Sequence, residues 1–157
     1  AEGVMDIVQG ERKDQKYYYV TQGDITLVDG VPTQQYTNTA KRLNDEDAKD
    51  ADGNQLYVQV YDEDTKKMVN TSEKLVNQGL KTSCLGEIKD TANKLLSKTD
   101  WMVIRNIERR VLIPSATATY RAAVISECSR LETAITNSSG VDALATVMAG
   151  QNWPKED

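Results

Sequence analysis

Apolar residues in the second half of the chain recur at the three- and four-residue steps of an amphipathic helix. The clearest run follows Pro114, and a proline fits the entry of a helix. The run consists of Tyr120, Val124, Cys128, Leu131 and Ile135. The sequence Asn-Ser-Ser-Gly at residues 137–140 then supplies a stop signal. This pattern predicts one long helix from residue 115 to about residue 137.

Three shorter apolar patterns flank this helix. Cys84, Ile88 and Leu95 share one face of a segment that closes at residues 97–99. Thr99 or Asp100 can then cap a second segment. Its apolar positions are Val103, Ile104, Ile107 and Val111. Residues 141–148 form a last short amphipathic stretch. The second half is therefore predicted to be a helical hairpin with a short closing helix.

The first half of the chain has the pattern of short strands separated by turn residues. Residues 17–21 are aromatic and β-branched, and a break at 22–24 separates them from a second apolar run at 25–28. Asp29 and Gly30 form a dipeptide that accepts positive φ, which predicts a hairpin turn. Residues 56–61 and 66–69 predict a second hairpin with its turn at 62–65. The polar residues 44–54 are expected to form a loop.

Composition also differs between the two halves. Residues 1–70 carry 14 acidic and 8 basic residues, whereas residues 71–157 carry 10 acidic and 11 basic residues. Six of the seven tyrosines lie before position 62. We therefore expect an α+β protein in which a small, acidic, Tyr-rich N-terminal antiparallel β region (1–70) precedes a C-terminal helical module (71–157).

The residue types present exclude several classes of chemistry. The chain contains no histidine, which removes Ser-His-Asp triads, Cys-His dyads and every His-ligated metal site. It contains neither a Gly-Lys dipeptide nor a GxGxxG sequence, so the common phosphate-binding loops are absent. The acidic residues cluster on a predicted loop with no apolar pocket residue to raise a carboxyl pKa. We expect no catalytic residues, no cofactor and no metal site.

Charge and hydropathy restrict the possible partners. The net charge of -5 gives no global positive field for a phosphate backbone, so no specific nucleic-acid binding is expected. The longest apolar run, residues 101–104, is too short to cross a membrane. The N-terminus lacks the basic and apolar blocks of a signal peptide, which predicts a product of the cytoplasm. Cys84 and Cys128 are expected to be buried thiols, with a disulfide as the less favoured alternative.

The acidic residues 45–53 include an Asp-x-Asp-Gly sequence that resembles the middle of an EF-hand loop. Aligning Gly53 with the loop glycine puts Ala48 at the first ligand position and Gln59 at the last. Carboxylates are therefore missing where calcium needs them. We expect a solvated loop and no tight calcium site.

Several short sequences in the helical half resemble a module of tailed bacteriophages. They are residues 95–105 (LLSKTDWMVIR), Glu108, the Ile-Pro-Ser sequence at 113–115, residues 120–124 (YRAAV) and the terminal Trp153-Pro154. The module is found in tail-fibre assembly proteins and in small tail proteins of marine and cyanobacterial phages. The resemblance covers about residues 85–157.

The resemblance implies a function in binding. It implies a virion structural component of the tail, adsorption or connector apparatus, made in the host cytoplasm and acting by protein-protein interaction. Its partners would be other tail or connector proteins, and it would be a homo-oligomer or multi-copy subunit because phage tails are symmetric. One alternative is a tail-fibre assembly chaperone. Another, from a different class, is a small ligand-binding protein or enzyme.

Seven residues within the resembling region are candidates for structural or interaction roles. Pro114 is expected to set the reversal between two helices, and Tyr120 to join the apolar stripe. Arg121 is expected to pair with Glu108 or Asp100. Arg105, with a tryptophan one turn away, either contacts an acidic partner or lies on an ordinary solvated helix face. The set is Trp101, Arg105, Glu108, Pro114, Tyr120, Arg121 and Trp153; the two tryptophans are expected to anchor the helical hairpin and the C-terminal tail.

Overall fold

A computed structural model describes residues 6–155 of the chain. It combines antiparallel β strands in the first half with helices in the second, which confirms the expected α+β class. The chain divides into two compact units, Ala1–Arg42 and Leu43–Asp157. The boundary between compact units therefore lies near residue 42, whereas composition had placed it near residue 70.

The first unit is a three-stranded sheet. Its strands are β1 (Val8–Gln9), β2 (Tyr18–Val28) and β3 (Val31–Ala40), in the spatial order β1-β3-β2. β2 and β3 pair antiparallel, and β1 pairs parallel with β3. Asp29 and Gly30 join β2 to β3 with φ values of 49° and 79°. Two positive φ values are typical of a type I′ hairpin turn, so the turn predicted at this dipeptide is confirmed.

The predicted break at residues 22–24 is wrong, because β2 runs through it. The register shifts between Gln22 and Ile25, which places two residues opposite Gln35 and makes this position a β-bulge. The Gln34 side-chain amide donates hydrogen bonds to the main-chain oxygens of Gly23 and Gln35. Main-chain carbonyls at the bulge are therefore hydrogen-bonded. Gly23 indicates a β-bulge at this position and not a turn.

The second unit begins with four short strands. They are β4 (Glu46–Asp47), β5 (Tyr57–Asp62), β6 (Lys67–Lys74) and β7 (Val76–Asn77). β5 and β6 form the predicted second hairpin, and β6 extends five residues beyond the expected strand. β4 pairs antiparallel with β7. Residues 44–54, expected to be a loop, therefore include a paired strand.

Four helices complete the second unit: α1 (Leu80–Ser97), α2 (Asp100–Arg109), α3 (Ser115–Asn137) and α4 (Val141–Ala149). α1 and α3 are antiparallel, since Lys81 near the start of α1 donates to the Thr136 carbonyl near the end of α3. The core lies between α1, α3 and α4. Its fully buried side chains are Cys84, Ile88, Val124, Leu131, Ile135 and Leu144.

The start of α1 explains why the β segment belongs with the helices. Asp45 accepts hydrogen bonds from the Gly79 amide at 2.7 Å and the Thr82 hydroxyl at 2.9 Å. The Lys81 amide donates to the Leu43 carbonyl at 3.0 Å. Helix amides at an N-terminus need acceptors from outside the helix, and here residues 43–45 supply them. The segment that starts at Leu43 is therefore fastened to α1.

Candidate functional site

Arg121 fastens the junction between α1, α2 and α3. Its Nη1 donates to the Leu96 carbonyl at 2.8 Å and to the Thr99 hydroxyl at 2.7 Å, and its Nη2 lies 2.9 Å from the Asp100 carboxylate. Of the two expected partners, the structure thus pairs Arg121 with Asp100, while Glu108 is exposed on α2. The Arg121 guanidinium thus binds a carbonyl at the end of α1 and a carboxylate in the first turn of α2. Because one rigid group holds both helix ends, it fixes the angle between α1 and α2.

Pro114 and Tyr120 lie on the α3 side of this junction. Pro114 stands directly before α3, and its carbonyl accepts the Ala118 amide at 3.0 Å. Tyr120 is half-buried and lines a surface cavity of about 530 Å³, which Pro154 of the C-terminal tail also lines. The Tyr120 hydroxyl is enclosed and has no hydrogen-bond partner among the described residues. Tyr120 therefore lines the cavity at this junction and is not part of the fully buried core.

The sequence predicted that Trp101 anchors the helical hairpin. The structure does not bury this side chain. It is 51% exposed, and Ile104 and Ile107 of the same helix are exposed as well. The Arg105 guanidinium lies 4.8 Å from the centre of the Trp101 ring, within the range of a cation–π contact. This stacked pair presents a flat apolar surface with a positive charge above it.

α2 and the residues after it form the surface that we call the α2 surface. None of the helix's ten described residues is buried. Basic side chains border the surface at Arg105, Arg109 and Arg110. The exposed apolar side chains that define it are Trp101, Ile104, Ile107, Val111 and Leu112. An apolar cluster with a basic border is typical of a protein-protein contact, in which aromatic residues and arginine are enriched.

The two hairpins also expose large apolar side chains. β2 and β3 expose Tyr19, Ile25, Leu27, Val28 and Val31. β5 and β6 expose Tyr57, Val60, Tyr61, Met68 and Val69. An isolated two-stranded ribbon is marginally stable in water, and a ribbon with apolar side chains left in solvent gains stability when another surface covers them. The sequence did not indicate this exposure, since alternating strands normally bury one face.

The C-terminal tail is fastened to α3 by two charged side chains that the sequence prediction missed. Arg130 and Glu127 form a bidentate pair with both distances at 2.7 Å. Glu127 also accepts the Asn152 amide at 2.7 Å, and Arg130 donates to the Gly150 carbonyl at 3.0 Å. The half-buried Trp153 donates its indole N–H to the Gln151 side chain at 2.7 Å. The spacing i, i+3 was the available signal for the pair.

Acid is expected to release this tail. The hydrogen bond from Arg130 holds the pKa of Glu127 below its ordinary value, with the Asn152 amide acting in the same direction against burial. A carboxyl whose pKa is lowered by folding contributes stability above its unfolded pKa, and this contribution is lost as pH falls through the folded pKa. In a Trp101→Phe background, Trp153 fluorescence should therefore shift to the red below the ordinary carboxyl range. Glu127→Gln should abolish this step.

The matched control is a second glutamate of α3 that pairs with α1 and not with the tail. Glu132 pairs with Lys89 at 3.4 Å, and Glu132→Gln should leave the acid step in Trp153 fluorescence unchanged. An acid step that persists in Glu127→Gln, or that Glu132→Gln removes, would show that the Glu127–Arg130 pair does not hold the tail.

The cysteines and the acidic loop offer no assembled chemical site. Cys84 and Cys128 are not joined in a disulfide; Cys84 is buried, but Cys128 is partly exposed, so the expectation of two buried thiols holds only for Cys84. Burial raises the pKa of Cys128. Asp50 accepts hydrogen bonds from the Asn54 amide and side chain, which lower its pKa. Within residues 6–155, no three potential metal-binding side chains of the His, Cys, Asp or Glu types are grouped together.

Comparison with known proteins adds no relative. No family model matches the chain, and neither a curated protein nor a solved structure matches it. The search for membrane spans in the described part of the chain found no helix with the length and apolar character that crossing a bilayer requires.

Proposed function

We propose that the protein is a multi-copy structural component of a bacteriophage tail, adsorption or connector apparatus and acts by protein-protein interaction. The observation that carries the contact role is the α2 surface, on which Trp101, Ile104 and Ile107 of one helix are each more than half exposed. The phage assignment rests on the sequence resemblance over residues 85–157. The partners that this proposal implies are other tail or connector proteins and further copies of the chain.

The geometry of α2 favours contact over catalysis. Apolar side chains of a helix that the described part of the chain leaves uncovered are available to another protein. Trp and Arg are the residues that most often dominate binding energy at protein contacts, and Trp101 and Arg105 are stacked on this surface. The charge of the α2 surface suits a partner that presents carboxylates around an apolar patch.

The test is whether the chain is part of finished particles. Mass spectrometry of virions purified from the phage that encodes the chain should detect it together with known tail proteins. Detection in infected cells but not in purified virions would contradict a virion component and favour the alternative of a tail-fibre assembly chaperone.

A substitution on the α2 surface is expected to impair incorporation without unfolding the chain. Ile107 is 69% exposed, so Ile107→Lys should change the free energy of unfolding by less than about 0.5 kcal/mol. It places a charge in the centre of the apolar patch, and we expect a several-fold loss from purified virions. The matched control is Ile125→Lys on α3, where the isoleucine is 54% exposed outside the α2 surface.

The control separates a specific contact from a general effect of the added charge. Normal incorporation of both lysine variants would contradict a role for the α2 surface. Equal loss of both would show that surface charge in general, and not this surface, governs incorporation.

A further inference from the structure

The outer edge of β2 carries only part of the protection that edge strands normally have against edge-to-edge association, namely its β-bulge and Asp24. β2 has eleven residues and lies at one edge of its sheet, and no described strand pairs with its outer side. Natural edge strands are commonly protected by lysine or other charged residues, by proline, by β-bulges or by short length. β2 contains neither lysine nor proline, and Asp24 is its one charged residue. Residues 21–28 are all exposed.

The pairing register shows which main-chain groups face this outer edge. The two-residue turn makes Val28 and Val31 a hydrogen-bonded pair, so by alternation the N–H and C=O groups of Ile25 and Leu27 point away from β3. At the other end the Lys41 amide donates to the Tyr17 carbonyl at 3.0 Å.

That bond sets the alternation on the other side of the bulge. Counting two residues at a time from Tyr17 in the observed register, the main-chain groups of Val20 and Gln22 also point outward. The outward residues Val20, Gln22, Ile25 and Leu27 are therefore placed symmetrically about the bond between Gly23 and Asp24.

We propose that the outer edge of β2 pairs antiparallel with β2 of a second copy of this chain, about a two-fold axis at the Gly23–Asp24 bond. In this register Val20 lies opposite Leu27 of the second copy, and Gln22 lies opposite Ile25. Every outward-facing residue named then meets another outward-facing residue, as an antiparallel ladder requires. The two sheets become one continuous sheet through an isologous contact.

The order of side chains along β2 favours a second copy as the occupant of this edge. In the proposed register Asp24 lies opposite Gly23 of the second copy, which has no side chain. The two Asp24 side chains are therefore diagonal neighbours across the axis and not directly opposite one another, which is the arrangement in which like charges destabilise a cross-strand pair. The apolar pair of Val20 and Leu27 is repeated on both sides of the axis. The edge is thus complementary to itself.

This pairing supplies a partner for the proposed function and rests on it, since it takes the chain to be a subunit that acts through contacts with copies of itself. It uses residues far in sequence from the α2 surface. β2 belongs to the first compact unit and α2 to the second, so the two proposed contacts use different residues.

A charge pair at one cross-strand position tests the register. Val20→Lys/Leu27→Lys places lysine opposite lysine twice in the proposed dimer, whereas Val20→Lys/Leu27→Glu places lysine opposite glutamate twice. In sedimentation equilibrium of the purified full chain, we expect the unsubstituted protein and the Lys/Glu variant to be dimers. The dissociation constant of the Lys/Lys variant should be higher by about tenfold or more.

Equal dissociation constants for the two variants would overturn the proposed register. A monomeric unsubstituted chain would overturn the dimer itself. If the Val20→Lys substitution unfolds both variants, which circular dichroism would reveal, amide hydrogen exchange on the unsubstituted chain gives the same test. The amides of residues 20, 22, 25 and 27 should be protected at high protein concentration and exchange quickly on dilution; rapid exchange at every concentration would contradict the pairing.

The outcomes also separate this inference from the proposed function. A chain that is monomeric in solution but present in purified virions would contradict the β2 pairing alone. A β2-paired dimer that is absent from virions would contradict the virion function alone.

Discussion

Replacing Leu131 with alanine is expected to lower the free energy of unfolding by about 2–5 kcal/mol. Leu131 is 0% exposed on α3, among the side chains that join α1, α3 and α4. Truncation removes apolar burial and leaves a cavity that a close-packed interior fills only in part. Urea unfolding followed by circular dichroism at helical wavelengths measures the loss.

The control for Leu131→Ala is Ile125→Ala in the same helix. Ile125 is exposed, so its truncation should cost much less than that of Leu131. A cost near zero for Leu131→Ala would mean that the three helices do not share a packed core, and the orientation of α2 relative to that core would lose its basis.

Gly79→Ala is expected to destabilise the second unit by about 1–3 kcal/mol, the usual cost of forcing atoms into a packed place. An added Cβ at Gly79 would come within 2.4 Å of the Asn44 carbonyl carbon and 2.5 Å of its oxygen. Both are main-chain atoms, so relief requires moving the segment whose Asp45 carboxylate binds the start of α1. Thermal and urea unfolding measure the effect.

The same substitution seven residues later should have the opposite sign. Gly86 lies inside α1, and nothing lies within 4 Å of an added Cβ there. Gly86→Ala should therefore stabilise the chain by about 0.5–1 kcal/mol, because alanine loses less conformational freedom in a helix. Stabilisation by both substitutions would contradict the close approach of residues 43–45 to α1.

The helices could be predicted from the sequence because their signals are local. The stripe through Val124, Leu131 and Ile135 fixes which side of α3 is buried, and all three side chains are buried. The Asp29-Gly30 turn is equally local, since positive φ at two successive positions needs residues of this type. Short-range patterns of this kind depend little on the rest of the fold.

The β-bulge and the unit boundary depend on residues distant in sequence. The Gln34 side chain, eleven residues away, satisfies the Gly23 carbonyl and lets β2 continue where a turn had been expected. Asp45 binds the Gly79 amide across 34 residues. Neither partner can be identified by a window of local propensity, so the strand break was misplaced and the close packing of residues 43–45 on the start of α1 was not foreseen.

The candidate site was only partly predictable for the same reason. The sequence predicted that Arg121 pairs with Glu108 or Asp100, and only the structure decides for Asp100. The exposure of Trp101 was not predicted, because an apolar stripe predicts that a face is buried but does not say by which protein. The described part of the chain does not cover this side of α2, so the expected structural anchor Trp101 is an exposed residue.

The number of copies of the chain in a purified virion tests the account most directly. Quantitative mass spectrometry with isotope-labelled standard peptides, referred to a tail protein of known copy number, gives this value. A structural component held by fixed contacts should be present in the same multiple-copy number in independent preparations. Absence from the particles, or a variable trace that falls with each purification step, would contradict a structural role.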